Sequence, residues 1–82
     1  MASIHEINKK LCDIISTKLQ TNEALDVTES LYEDGIGLDS IVYVEVICMI
    51  ETQFGLEIEP DIFNEFETIT DISTFIMEQY KK

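Results

Sequence analysis

Eighty-two residues with a net charge of −12 make one domain, spanning residues 1–82, near the lower size at which a chain buries a self-sufficient core, and they exclude two. Acidity on this scale excludes nucleic acid and anionic membrane surfaces as partners and favours proteins with basic docking patches. No Lys or Arg stands between Lys18 and Lys81, whereas fifteen Asp and Glu fall there, so the charge is expected to steer partners as well as to keep the chain in solution. The stretch from Met1 to Glu6 lacks the basic start and apolar core of a signal peptide, and no run has the length of a membrane span. Cys12 and Cys48 stand alone inside apolar patterns, away from any second ligand. Read as reduced thiols, they point to a soluble, cytoplasmic protein.

Ile4, Ile7, Leu11, Ile14 and Ile15 recur at helical spacing, with Leu19 at the edge of the stripe and His5, Glu6, Asn8, Lys9, Lys10 and Asp13 opposite. This predicts an amphipathic helix over residues 3–19, ended by Thr21, Asn22 and Glu23. Residues 20–38 show no sustained period. Leu25, Val27, Leu31, Tyr32, Ile36 and Leu38 are expected to pin this long loop to the core, with a brief helical turn at Ser30-Leu31-Tyr32-Glu33. The loop's acids lack the alternating ligands, central glycine and closing glutamate of a calcium loop, so no dedicated metal site is expected.

Gly35 and Gly37 then let the backbone bend ahead of Asp39 and Ser40, residue types that open helices by accepting hydrogen bonds from orphaned amides. A second helix is predicted over residues 40–54, with Gly55 placed for a left-handed cap. At about 100° per residue, Tyr43, Val46, Ile47, Ile50 and Phe54 share an inward face. The opposite face holds Ile41, Val44, Glu45, Cys48 and Thr52, flanked by Met49. That is too apolar for a solvated surface, and it reads as a docking face.

Residues 56–59 alternate briefly but have no partner strand, and are expected to be an extended connector. Pro60 suits the first position of a short helix running to about Phe66, with Ile62, Phe63 and Phe66 inward. Thr68-Ile69-Thr70 opens the last helix, whose stripe is Ile69, Ile72, Ile76 and Tyr80 with Phe75 at one edge, and Lys81 and Lys82 complement its negative end. The fold class is therefore all-α, a four-helix bundle with three longer helices, a short third one and a long loop between the first two.

Ser40 at a helix start is an exposed hydroxyl where an attached phosphate is electrostatically welcome. It has no base: the sole histidine, His5, sits on another helix, and no nearby cation could stabilise an oxyanion. A bundle this small has little room for a glycosidase cleft. Gly35-Ile36-Gly37 lacks the βαβ frame of a nucleotide loop. On local chemistry alone, Ser40 is either a helix-capping serine or an attachment point.

Gly37-Leu38-Asp39-Ser40-Ile41 resembles the Asp-Ser-Leu attachment motif of the acyl carrier and peptidyl carrier proteins. The resemblance extends over nearly the whole chain through the long first loop, the helix ending at Phe54-Gly55, and the helix starts at Pro60 and Thr68. It implies the four-helix fold of that family. It also implies a 4′-phosphopantetheine arm on Ser40, installed from coenzyme A by a separate phosphopantetheinyl transferase and loaded with acyl or aminoacyl thioesters by other enzymes of fatty acid, polyketide or nonribosomal peptide biosynthesis. By the same resemblance, Asp39, Ile41, Val44, Glu45 and Cys48 are partner-binding residues of a monomeric, non-catalytic carrier. The chain departs from the motif in Ile41, where leucine is commoner, and carries Phe63, Phe66 and Tyr43 where smaller residues would leave room for an alkyl chain. This favours short, polar or aminoacyl cargo. The alternative is an unmodified acidic adaptor that binds partner proteins through its second helix.

Overall fold

A computed structural model describes residues 3–22 and 24–80, and within them the chain forms four helices in the order expected: α1 (Ile4–Leu19), α2 (Ser40–Phe54), α3 (Pro60–Phe63) and α4 (Ile69–Tyr80). Glu23, Lys81 and Lys82, assigned above to the end of the first helix and to the last helix terminus, lie outside the described residues.

Ser3 caps α1 by accepting the Glu6 amide, and the stripe buries Ile7, Leu11, Ile14 and Ile15. Ile4, at the start of the helix, stays 42% exposed. The helix stops because Gln20 turns left-handed at φ 55°, its amide donating to Ser16 and Thr17. The stop therefore lies at Gln20, one residue before the expected Thr21.

α2 buries Tyr43, Val46, Ile47, Ile50 and Phe54, the whole expected inward face, and ends on Gly55 at φ 65°. Burying each of the aliphatic side chains among them, Val46, Ile47 and Ile50, contributes about 1.5–3 kcal/mol. α1 packs against both α2 and α4. The buried cluster is completed by Leu31, Leu38, Ile58, Phe66, Ile69, Ile72 and Ile76.

The long loop is anchored as expected, with Leu31 and Leu38 fully buried and Leu25, Val27, Tyr32 and Ile36 packed on the core. Residues 30–33 are not helical. Ser30 forms an isolated bridge with Thr68, and the Leu31 amide donates to the Glu67 carbonyl at 2.8 Å. A partner 36 residues along the chain takes the bond that a local turn would have used, and the tight turn instead covers residues 33–36.

α3 is shorter than expected, ending at Phe63, while Phe66 is buried beyond it in a non-helical stretch. Its first turn has no side-chain cap and none of its residues is fully buried, but Ile62 and Phe63 turn inward as expected and pack half-buried on the core. On α4, Ile69, Ile72 and Ile76 are buried as expected and Tyr80 is not, remaining 47% exposed. Ser73 takes a core position between Ile72 and Ile76, its hydroxyl satisfied by the Thr70 carbonyl at 3.0 Å.

Candidate functional site

The site is built where the loop becomes α2. The Tyr32 carbonyl accepts the amides of Gly35 and Gly37 at 2.9 and 2.8 Å, and the Leu38 amide closes back on the Leu31 carbonyl at 2.8 Å. The two glycines are needed for different reasons. Gly37 sits at φ +95°, a left-handed conformation, whereas a Cβ on Gly35 would lie 2.2 Å from the Ser30 carbonyl oxygen. This compact turn, plugged by Leu38, fixes the direction in which the chain enters α2.

Asp39 is the N-cap: its carboxylate accepts the Val42 amide at 2.8 Å, and its carbonyl accepts the Tyr43 amide at 2.9 Å. Ser40 is the first helical residue and is exposed. The amides of Ser40 and Ile41 precede the helical ladder and point outward beside the Ser40 hydroxyl. Among the described residues, that hydroxyl makes no hydrogen bond. His5 lies on the first turn of α1. The Lys18–Glu45 pair and the approach of Lys10 to Phe54 fix α1 antiparallel to α2, which sets His5 toward the opposite end.

Beside Ser40 opens a cleft of about 630 Å³ lined by Leu38, Val44, Tyr32, Tyr43 and Phe63, with Glu33, Asp34 and Asn64 on its rim. Its walls are aromatic: Tyr32 and Tyr43 meet edge to face at 5.7 Å, and Tyr43 meets Phe63 at 6.3 Å and 84°. Burial, with a smaller contribution from Tyr32, pushes the Tyr43 phenol well above the ordinary phenol range.

The expected docking residues share the outer face of α2, but their chemistry divides. Ile41 and Val44 are 74% and 48% exposed, and Cys48 is an exposed free thiol. Asp39 is occupied as the cap, and Glu45 is paired with Lys18 at 2.8 Å across to α1. The Lys18–Glu45 pair was not visible in the sequence, where the partners stand 27 residues apart on separate helices. Neither was the role of the tyrosine hydroxyls, which donate to the carbonyls of Phe63 and Phe66. No group of His, Cys, Asp and Glu able to hold a metal ion occurs among the described residues. No described helix is long and apolar enough to cross a membrane.

An outward hydroxyl at a capped helix start, with free amides around it and a cleft alongside, can receive a phosphodiester without displacing anything. The described geometry thus fits a covalently borne phosphate. The family described as the phosphopantetheine attachment site matches residues 9–76, most of the chain, and the chain belongs to it. It is a phosphopantetheine-binding carrier, bearing 4′-phosphopantetheine as a covalent group, in a family that is generally non-catalytic. Among similar named proteins is the acyl carrier protein of Treponema denticola, 32% identical over 76 residues, covering 93% of this chain and 97% of that one. The acyl carrier proteins of Rickettsia typhi and Rickettsia prowazekii are each 27% identical over 79 residues, covering 96% of this chain and 92% of theirs.

Proposed function

We propose that Ser40 is the residue to which 4′-phosphopantetheine is esterified, and that the chain, as one domain of 82 residues, carries thioester intermediates between biosynthetic enzymes in the cytoplasm as a monomer. The observation that carries this reading is the exposed, unbonded Ser40 hydroxyl on the first turn of α2. Nothing in its surroundings activates it, so a separate phosphopantetheinyl transferase deprotonates it and supplies the arm. The arm's terminal thiol holds the cargo.

The chain's own residues do the rest by position. Asp39 holds the start of α2 in register, so the arm is rooted at a rigid point. Glu33, Asp34 and Asp39 line the cleft beside the root with negative charge, which favours the approach of basic partner surfaces. Ile41, Val44 and Cys48 supply the apolar contact for transferase and loading enzymes, and Asp39 and Glu45 contribute charge toward their basic docking patches. Glu45 does so in competition with Lys18. The bulk of Phe63 and Phe66, the latter packed on Phe75 at 5.6 Å, supports short, polar or aminoacyl cargo. Fatty acid, polyketide and nonribosomal peptide routes all use such carriers.

The test is intact mass after incubation with coenzyme A and a broad-specificity phosphopantetheinyl transferase. A gain of one arm, lost in Ser40→Ala, is expected. A folded protein that gains nothing with several transferases would refute the attachment and leave the exposed face of α2 as that of an unmodified adaptor.

A further inference from the structure

Residues 60–66 have little helical structure of their own. α3 is too short to sustain itself, its Ile62 and Phe63 are only half-buried against the core, and the remaining backbone bonds of this stretch are local, from Ile62 to Glu59 and from Glu65 to Ile62. Among the described residues, only two hydrogen bonds tie it to the rest of the molecule, and both come from phenols. Tyr43 on α2 donates to the Phe63 carbonyl at 2.6 Å, and Tyr32 in the long loop donates to the Phe66 carbonyl at 2.7 Å. The same two rings wall the cleft that opens beside Ser40, and Tyr43 belongs at once to that wall and to the buried cluster. Whatever hangs from Ser40 therefore meets this pair before it meets the core.

We propose that Tyr32 and Tyr43 are specificity-determining residues that latch residues 60–66 against α2 and confine cargo to the surface cleft, admitting short acyl or aminoacyl groups and shutting long alkyl chains out of the core. This rests on Ser40 as the attachment point. An alkyl chain entering between α2 and residues 60–66 would have to part both phenols from their carbonyls and leave four polar groups facing hydrocarbon. The bulk of Phe63 sets how much space there is; the two hydroxyls set whether the wall can move to make more.

Two arms of one experiment test this. In the unloaded protein, Tyr43→Phe and Tyr32→Phe keep the rings and remove the latching oxygens. Each should speed amide hydrogen exchange in residues 60–66 by about two- to tenfold while leaving α1 and α4 unchanged; unaltered exchange overturns the latch. In the second arm, Ser40 is loaded with amide-linked butyryl- or myristoyl-pantetheine, with loading read by intact mass. In the wild type, both cargoes should shift the NMR signals of Val44 and Asn64 and leave those of Ile47, Ile58 and Ile72 in place. In the variants, the myristoyl chain should move the latter three. Core signals that move in the wild type, or stay fixed in every folded variant, refute the proposal. Failure to load refutes the Ser40 reading instead, and the exchange arm still judges the latch.

Discussion

Replacing Gly35 by alanine tests how the turn before Ser40 is held. The added Cβ would stand 2.2 Å from the Ser30 carbonyl oxygen and 2.9 Å from the Ser30 carbonyl carbon and nitrogen. These are backbone atoms with no rotamer to give way. Ser30 would have to retreat by about 1 Å to reach ordinary contact. Its carbonyl also accepts the Ile36 amide at 2.7 Å, and its backbone bridges Thr68. Retreat weakens both and drags the adjacent, fully buried Leu31. Overpacking against backbone costs about 1–3 kcal/mol and one lost backbone hydrogen bond about 0.5–1.5, so Gly35→Ala should destabilise by about 2–4 kcal/mol. At 4–8 °C per kcal/mol this lowers Tm by roughly 10–30 °C. Gly37→Ala is the control: its φ of +95° strains any L-residue, yet nothing lies within 4 Å of the new Cβ, so the cost should be only about 1–2 kcal/mol. Urea unfolding followed by circular dichroism, with slopes compared, measures both. A Gly35→Ala protein within about 0.5 kcal/mol of wild type, or one more stable than Gly37→Ala, would refute this account of the turn.

Asp39→Ala should cost about 0.5–2 kcal/mol through loss of the Val42 cap, with arm transfer slowed because α2 frays at Ser40; chemical denaturation and transfer kinetics check it. A double-mutant cycle of Lys18→Gln and Glu45→Gln should give a coupling of about 0.2–1 kcal/mol that shrinks with added salt, since both side chains are partly exposed. Glu45→Lys should slow arm transfer or loading further, by setting two cations face to face where partners with basic patches approach. For pH, the folded Tyr43 phenol holds its proton more tightly than the unfolded one. Its contribution is therefore complete below the unfolded pKa, and stability should decline above about pH 10 by up to about 1.4 kcal/mol per pH unit. Tyr43→Phe should flatten that decline in alkaline denaturation curves.

The periodic parts of the fold were legible because a single helix decides them. All five inward residues of α2 follow from spacing, and its Asp39 and Gly55 ends from residue type. The departures arise where a distant partner decides. Residues 30–33 read as a local turn, yet Leu31 bonds to Glu67. Phe66 reads as the end of a helix, yet its ring packs on Phe75 and its carbonyl takes the Tyr32 hydroxyl, which hold it without helical bonds. At the site, the sequence placed Ser40 on the first turn of α2 and put Ile41, Val44 and Cys48 on the outward face. It could not show that Glu45 is already paired, because nothing local links it to Lys18, nor that Gly35 is required by closeness to Ser30 instead of by its dihedral angles.

The pairing of α1 with α2 also decides where the few cations of the described residues lie. The lysines of the described residues, Lys9, Lys10 and Lys18, all ride on α1: Lys10 reaches over the Phe54 ring at 5.7 Å, at the end of α2 about 20 Å from Ser40, and Lys18 is taken up by Glu45 in the half nearer to it. At the Ser40 end, Glu33, Asp34 and Asp39 gather with no cation among them. A cationic surface is therefore drawn to the cleft face, where no positive charge resists it. Long-range attraction brings such a partner to that face, and the apolar residues of α2 then have only to fit.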